Sequence, residues 1–265
     1  MNQRIAVLAL ALLIPSGPTW ADPFASEWAL SAKSQARLIA DGRGQAGFQI
    51  ELAAGAITYW RDPGDAGVPP TFDFSRSVNV ASAEVEFPAP KRIEESDGSE
   101  AFGYDRGVVF PIRVKAADPA KPVTLALDAN YAVCEKICLP ARAVASLGLP
   151  KGAATPWAAE IDAARAQVPV AEDAAALGVE ITAQEGRNWR LCLPAAPGAP
   201  RNLFVEPPAG WWLTAKADAA EEGRDCFALA LKQAPADAKF PAQVRATFTG
   251  GAGAVETSVR LSERP

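Results

Sequence analysis

The feature that most constrains the fold is a repeated alternation of apolar residues in short runs. Apolar side chains alternate with other residues along 107–115 and 123–127, and more weakly along 79–87. A period of two residues is typical of strands with one buried face. Segments rich in proline, glycine and aspartate, such as 62–70, lie between the runs and indicate turns. The chain is therefore predicted to be all-β, and residues 22–150 to form an antiparallel β-sandwich.

A break in this alternation divides the chain. Residues 151–169 are predicted to form a linker with one short helix, because Thr155 can cap a helix that has Pro156 at its first position. Alternating runs return after the linker, most clearly along 255–261. Residues 170–265 are therefore predicted to be a second, smaller β-rich domain.

Residues 1–21 have the pattern of a secretory signal peptide. Arg4 precedes an apolar run at 5–14, and the small residues Thr19 and Ala21 define a cleavage site. The apolar run is too short to span a bilayer, and no later segment approaches ~18 consecutive apolar residues. We expect an exported, soluble protein with no membrane span of its own, in an oxidising compartment where cysteines form disulfides.

The composition excludes several classes of function. Asp and Glu outnumber Lys and Arg by 31 to 26, which gives a net charge of −5. A mildly acidic chain lacks the basic surface that nucleic acids and anionic membranes require of their partners. The chain has no histidine, so hydrolases with a histidine base and histidine-liganded metal sites are excluded. No cofactor and no resident metal are predicted.

The four cysteines are the remaining candidates for chemistry. They allow three pairings, and the pairing of near neighbours joins Cys134 to Cys138 and Cys192 to Cys226. In the chain-entropy model, closing the long Cys192–Cys226 loop contributes roughly 3–4 kcal/mol and closing the short loop about 2. A tight loop is also more easily reduced. The long bond is therefore the better structural bond and the short one the better redox couple. Spacing alone, however, leaves both pairs as structural disulfides, which is the commoner role of cysteine pairs in secreted proteins.

The residues around the short pair resemble a known family. The segment Tyr-x-x-Cys-x3-Cys-Leu-Pro at 131–140 is accompanied by Tyr-Trp-Arg-Asp-Pro-Gly-Asp-Ala-Gly-Val-Pro-Pro at 59–70 and by Gly-Tyr-x3-Val-Val-Phe-Pro-Ile at 103–112. Together they resemble the N-terminal periplasmic domain of the DsbD thiol:disulfide interchange proteins, and more closely that of the related ScsB copper-tolerance proteins. The resemblance covers residues 28–150.

This resemblance implies an immunoglobulin-like β-sandwich and the activity of a periplasmic protein-disulfide reductase. Cys134 and Cys138 would carry electrons between a membrane-embedded thiol reductase and periplasmic thioredoxin-fold proteins. By analogy, Cys138 is the sulfur that faces the partner. The cysteine spacing here is shorter than in the DsbD domain, and the resemblance assigns no function to residues 170–265.

In this family a loop with aromatic and acidic residues covers the disulfide, and the best match for that loop here is 94–104. The resemblance implies that Phe102 and Tyr104 shield the sulfurs and that Asp97 or Glu100 assists proton movement. Ordinary core packing accounts for each aromatic residue equally well. The residues assigned to the cap and its support are Tyr59, Trp60, Asp97, Glu100, Phe102, Tyr104 and Tyr131.

Two alternatives to an oxidoreductase remain open at this point. One is a periplasmic binding or adaptor protein without redox turnover, and the other is a Cu(I) carrier linked to copper tolerance. Two thiolates suit Cu(I). However, the chain has no histidine, and its one methionine, Met1, belongs to the predicted signal peptide. A copper site would therefore need both cysteines unaided or a dimer.

Overall fold

The structure, a computed structural model, describes residues 22–65, 67–95, 98–198, 200–219, 221–251 and 253–264. Within these ranges the chain is nearly all strand, with one α-helix, α1 (Ala158–Arg165). The prediction of an all-β protein is therefore confirmed. The predicted signal peptide, residues 1–21, lies outside the described residues. In the part of the chain that is described, no helix is long and apolar enough to cross a membrane.

Two sheets pack face to face in the first half of the chain and are here called the N-terminal sandwich. Its strands are β1 (Ala29–Leu30), β2 (Ser34–Ala40), β3 (Ala46–Leu52), β4 (Ile57–Gly64), β5 (Thr71–Asp73), β6 (Val80–Val85), β7 (Lys91–Glu94), β8 (Glu100–Tyr104), β9 (Val108–Ala116), β10 (Val123–Cys134) and β11 (Cys138–Leu149). The strand order is β1-β2-β3-β9-β6 in the first sheet. It is β11-β10-β4-β8-β7 in the second, where β5 also pairs with β10.

Alternate residues of each strand form the core between these two sheets. Along β11, every second residue from Ala141 to Leu149 is buried and the residues between them are exposed, because successive side chains of a strand point to opposite faces. Phe48 and Phe110 of the first sheet share this core with Tyr131 of the second, whose ring meets that of Phe48 edge to face. The same alternation decides which side chains of the second sheet point away from the core.

Helix α1 packs on the outer face of the first sheet. Ile161 is fully buried there in a cluster with Ile39 and Val109. Thr155 precedes the helix, and its Oγ1 donates to the last carbonyl of β2 and accepts a 3.2 Å hydrogen bond from the Trp157 N–H. The segment after the N-terminal sandwich is therefore fixed to it by the helix rather than free.

A second pair of sheets follows the helix and is here called the C-terminal sandwich. Its strands are β12 (Val170–Ala171), β13 (Glu180–Ala183), β14 (Asn188–Pro194), β15 (Asn202–Glu206), β16 (Trp212–Ala217), β17 (Arg224–Gln233), β18 (Ala242–Thr249) and β19 (Val255–Leu261). The strand orders are β12-β19-β18-β15 and β13-β14-β17-β16. These sheets enclose a core of their own, which includes Trp189, Phe227 and Phe248. The fold is thus two successive β-sandwiches.

Candidate functional site

A disulfide closes the hairpin of β10 and β11. The two strands are paired along their whole length, and at the last pair Cys134 lies opposite Cys138 and is bonded to it. Residues 135–137 make the turn. In that turn Glu135 forms an ion pair of 2.9 Å with Lys33, which joins the hairpin tip to the first sheet. The disulfide therefore lies at the tip of a hairpin whose strands are each 12 residues long.

The two sulfurs of this disulfide differ in exposure. Cys134 is 2 % exposed, whereas Cys138 is exposed. Both point to the outer face of the second sheet, where Tyr59 of β4 and Ala101 of β8 cover Cys134. Cys138 begins β11, which is an edge strand among the described residues of that sheet. A molecule that arrives from solvent therefore meets Cys138 first.

Tyr59 is the residue whose side chain contacts both sulfurs. Its hydroxyl donates to Cys134 Sγ at 2.8 Å and lies 3.4 Å from Cys138 Sγ. The Oε1 atom of Glu95 lies 3.2 Å from the same hydroxyl. Burial, with the negative charge of Glu95 as a second cause, raises the pKa of Tyr59 well above its usual value. The hydroxyl is therefore protonated at neutral pH and serves as a hydrogen-bond donor to sulfur.

A loop after β4 covers the ring of Tyr59. Gly67 in this loop has a φ of +113°, and a Cβ there would lie 2.3 Å from Tyr59 Cε1. Only glycine combines this backbone conformation with so close an approach. We name residues 65 and 67–70 the cover loop. The cover loop and the β10–β11 hairpin thus enclose Tyr59 from two sides.

The exposed sulfur opens into an apolar groove between the cover loop and β11. Val68 and Ile137, next to this sulfur in the loop and in the turn, are 57 % and 69 % exposed. The groove is lined by Val68, Pro69, Thr71, Asn130, Tyr131, Ala132, Cys138, Leu139, Pro140, Ala141 and Arg142.

Of the aromatic residues assigned to the cap, Tyr59 alone contacts the sulfurs in the described part of the chain. Trp60, next in β4, faces the core. Tyr104 is also in the core, and its hydroxyl donates to the carbonyl of Pro88 at 2.8 Å. Phe102 points to the same side and packs on a ring of the C-terminal sandwich. The expectation that Phe102 and Tyr104 shield the disulfide is corrected, because strand alternation turns both rings away from the outer face.

Tyr131 lines the groove beside Cys138, but its ring is in the core. Its hydroxyl forms a 3.0 Å hydrogen bond with Ser34 Oγ. This bond connects the two sheets below the hairpin tip. Tyr131 therefore supports the position of the hairpin without touching the sulfurs.

Among the described residues the carboxylate at the site is Glu95, which was not one of the predicted site residues. Of the two predicted carboxylates, Asp97 lies outside the described residues and Glu100 pairs with Arg92 at 2.5 Å. The signal for Glu95 was the alternation in β7. Ile93 points to the outer face with Tyr59 and Cys134, and Glu95 is two positions further along the same side.

The second disulfide joins Cys192 of β14 to Cys226 of β17, which are directly opposite in the ladder. Its sulfur-bearing residues are 8 % and 4 % exposed. Glu221 lies close to both sulfurs, and this trio is the one group in the described residues with the spacing of metal ligands. However, the sulfurs are bonded to each other and the carboxylate of Glu221 is paired with Arg190. The arrangement is that of a buried cross-strand bond.

Comparison with known proteins gives the family of the first sandwich. Residues 27–149 match the family model described as thiol:disulfide interchange protein DsbD, N-terminal. No curated protein matches the chain. The crystal structure of the N-terminal periplasmic domain of ScsB from Proteus mirabilis superposes with a TM-score of 0.73 at 20 % identity, and the match covers 92 % of this chain and 100 % of that one. The fold is thus shared over both sandwiches, and residues 27–149 belong to the family of the DsbD N-terminal domain.

Proposed function

We propose that this chain is a periplasmic thiol:disulfide interchange protein. In this proposal Cys134 and Cys138 take an electron pair from a membrane-embedded thiol reductase and pass it to thioredoxin-fold proteins. The redox unit is the domain 22–150, joined through 151–169 to a second domain, 170–265. The unequal exposure of the two sulfurs carries the proposal, since exchange needs one sulfur that a partner can reach and one that can leave and return.

Reduction of the pair begins at the exposed sulfur. A thiolate of the donor attacks Cys138 Sγ, the Cys134–Cys138 bond breaks, and Cys134 leaves as a thiolate. The second thiol of the donor then attacks the mixed disulfide and releases Cys138. The donor ends as a disulfide, and two electrons have reached this chain, where two protons complete the dithiol.

Oxidation of the pair is the reverse exchange with a second protein. The Cys138 thiolate attacks a disulfide of the acceptor and forms a mixed disulfide, and the first acceptor sulfur leaves. Cys134 then attacks Cys138 Sγ, which restores the Cys134–Cys138 bond and releases the acceptor as a dithiol. Both half-reactions pass through Cys138, so one partner at a time occupies the groove.

Tyr59 stabilises the buried sulfur, Cys134, during both the reduction and the oxidation of the pair. When Cys134 leaves as a thiolate, its negative charge lies in a site with little access to water, which is costly unless a donor faces it. The Tyr59 hydroxyl is that donor, at 2.8 Å. In the disulfide form the Glu95 carboxylate, 3.2 Å from the hydroxyl, is a second acceptor for the same proton. The pair of side chains thus accommodates both charge states of Cys134.

The groove beside Cys138 supports a protein partner rather than a small substrate. It is open and mostly apolar, its lining includes the exposed Val68, and the exposed Ile137 directly precedes Cys138 in the turn. Lys136 of the turn and Arg142 of β11 are the nearby cations, and a positive charge near a thiol lowers its pKa. An apolar patch with a reactive sulfur at its edge fits the contact surface of a transient redox complex.

The test is capture of a thioredoxin-fold partner by single-cysteine variants. The probe is a thioredoxin that lacks its resolving cysteine and carries thionitrobenzoate on the remaining one. Cys134→Ser leaves the exposed sulfur, and Cys138→Ser leaves the buried one. We expect the Cys134→Ser variant to form the mixed disulfide at least about tenfold faster, because the attacking thiolate must be accessible.

Equal rates for the two variants would contradict the assignment of Cys138 as the exchanging sulfur. Capture by neither variant would contradict the interchange function itself. In that case tight binding of Cu(I) by the reduced wild-type chain would favour the carrier function instead.

A further inference from the structure

Strand β15 of the C-terminal sandwich faces two different cores. Leu203 and Val205 point into the core of their own sandwich. Phe204, between them, is 1 % exposed and is a member of the N-terminal core. Because side chains alternate along a strand, one strand closes both sandwiches.

Phe204 packs on the strands that carry the disulfide site. Its ring lies 6.0 Å from that of Trp60 and 4.9 Å from that of Phe102, both edge to face. Trp60 follows Tyr59 in β4, on the opposite face of the strand. The ring of Phe204 therefore supports from behind the strand whose front face covers Cys134.

An ion-pair cluster holds the next residue of β4. Arg61 donates to Glu206 at 2.8 Å and also contacts Glu256, and both carboxylates belong to the C-terminal sandwich. The three side chains are about one-fifth exposed, so water screens the cluster less than a surface pair. Two successive residues after Tyr59 are thus bound to the C-terminal sandwich.

The strand before Glu95 and the cover loop have their own contacts with the C-terminal sandwich. Arg92, three residues before Glu95, donates to the carbonyl of Leu203 at 2.9 Å. Trp212 donates through Nε1 to Asp65 Oδ1 at 3.0 Å, at the start of the cover loop. Each segment that places a group at the disulfide is therefore tied to the C-terminal sandwich.

We propose that the C-terminal sandwich is a positioning part of the disulfide site, and that Phe204 and Trp212 are its positioning residues. They hold β4 and the cover loop in the arrangement that keeps Tyr59 over Cys134. Loosening either contact lets this region open locally and adds a second route of reduction, in which the reductant attacks Cys134 Sγ and the exposed Cys138 leaves as the thiolate without help from Tyr59. The inference rests on the proposed function for its biological meaning, but the accessibility of the bond is measurable without any protein partner.

The test is the rate at which dithiothreitol reduces Cys134–Cys138 in the full chain. Phe204→Leu has a matched control in Phe248→Leu, since Phe248 is equally buried and lies opposite Leu203 in the ladder, but faces the C-terminal core alone. Lys136 lies between the two cysteines, so trypsin places each on a separate peptide, and alkylation of each is counted by mass spectrometry. We expect Phe204→Leu to raise the rate about threefold or more, and Phe248→Leu to leave it within about 1.5-fold of wild type.

A milder pair of variants keeps the test valid if Phe204→Leu does not fold. Trp212→Phe removes the donor to Asp65 from a half-exposed side chain. Its control is Trp189→Phe, which removes a similar donor, to the Ser262 carbonyl, within the C-terminal sandwich. Faster reduction in Trp212→Phe alone supports the proposal.

Equal rate changes in the variants and their controls would overturn the positioning role. These rates are ratios to wild type and involve no protein partner. Failure of the interchange function would instead appear in the partner-capture experiment, so the two failures are distinguishable.

Discussion

Tyr59 makes the two cysteines chemically different. Its hydroxyl contacts Cys134 Sγ at 2.8 Å and lies farther, at 3.4 Å, from Cys138 Sγ. A hydrogen bond to the thiolate favours the charged form and lowers the pKa of the thiol, whereas burial raises it. The hydrogen bond thus offsets part of the cost of burying a sulfur that becomes a thiolate in the proposed exchange.

Tyr59→Phe removes this hydrogen bond and keeps the ring. In the reduced chain with Cys138→Ser, we expect the pKa of the Cys134 thiol to rise by about one unit, because a hydrogen bond to a charged group is worth about 1.5–3 kcal/mol. The pKa is read from the ultraviolet absorbance of the thiolate. Tyr104→Phe, which loses a buried hydroxyl donor away from the sulfurs, is the control. The same pKa in both variants would exclude a role for the Tyr59 hydroxyl.

Asp62 gives the stability of the chain a dependence on pH. Burial, reinforced by the negative charge of Glu206, raises the pKa of Asp62 from 3.8 to about 6, against the opposing effect of the Gly64 N–H. Between these two values the folded chain keeps the proton and the unfolded chain releases it. The free energy of unfolding therefore falls as pH rises through this window.

Asp62→Asn removes this titration and can still accept from the Gly64 N–H. We expect the variant to gain roughly 1–2 kcal/mol over wild type at pH 7 and almost nothing at pH 4. Urea unfolding of both proteins at the two pH values measures the difference. A gain of equal size at both pH values would mean that Asp62 does not titrate as its burial implies.

Residue types, spacing and the family resemblance together were enough to select Cys134 and Cys138 as the reactive pair, but not the groups around them. The absence of histidine left the cysteines as the candidates for chemistry, and the short loop between Cys134 and Cys138 favoured this pair as the redox couple. Glu95 was missed because its role depends on which side of the sheet it faces just after the end of β7. Arg61 was not singled out within the family-like segment 59–70, since its partners lie about 145 and 195 residues further along the chain.

At the level of elements, the direction of each side chain in β4 and β8 decides the site. Phe102 and Tyr104 are the right residue types for a cap, but Ala101 and Gly103 occupy the outer face of β8. Alternation predicts faces only once the register is known, and the register of β4 with β8 is interrupted between Tyr59 and Gly64. The cover loop begins directly after this irregular part of β4.

The cover loop is tested by adding one methyl group. Gly67→Ala brings a Cβ against the ring of Tyr59, at a positive φ that disfavours any side chain. Gly98→Ala also adds a Cβ at a positive φ, but, beyond its neighbours in the chain, no atom of the described residues lies within 4 Å of it. We expect Gly67→Ala to lose about 1–3 kcal/mol of stability and to expose Cys134 to alkylation when reduced. Gly98→Ala should lose less stability and leave Cys134 protected. If the two variants behave alike, the cover loop does not hold Tyr59.

At the scale of the whole molecule, the two sandwiches share strand β15, which turns one face to each core. The existence of both sandwiches could be expected from the alternating runs and turn segments, because these depend on local sequence. The contact of Phe204 with Trp60 could not, since nothing local marks an apolar residue in β15 as belonging to a different core. The two disulfides also differ in their place in the molecule. Cys134–Cys138 closes an exposed hairpin tip, whereas Cys192–Cys226 is buried between two paired strands.

The most direct measurement is the reduction potential of both disulfides in the same chain. The protein is equilibrated in thiol buffers of graded potential, and the alkylated peptides of each pair are quantified separately. We predict a potential above about −300 mV for Cys134–Cys138 and below about −300 mV for Cys192–Cys226. A Cys134–Cys138 potential at or below that of Cys192–Cys226 would contradict it, because the hairpin pair would then be the structural bond.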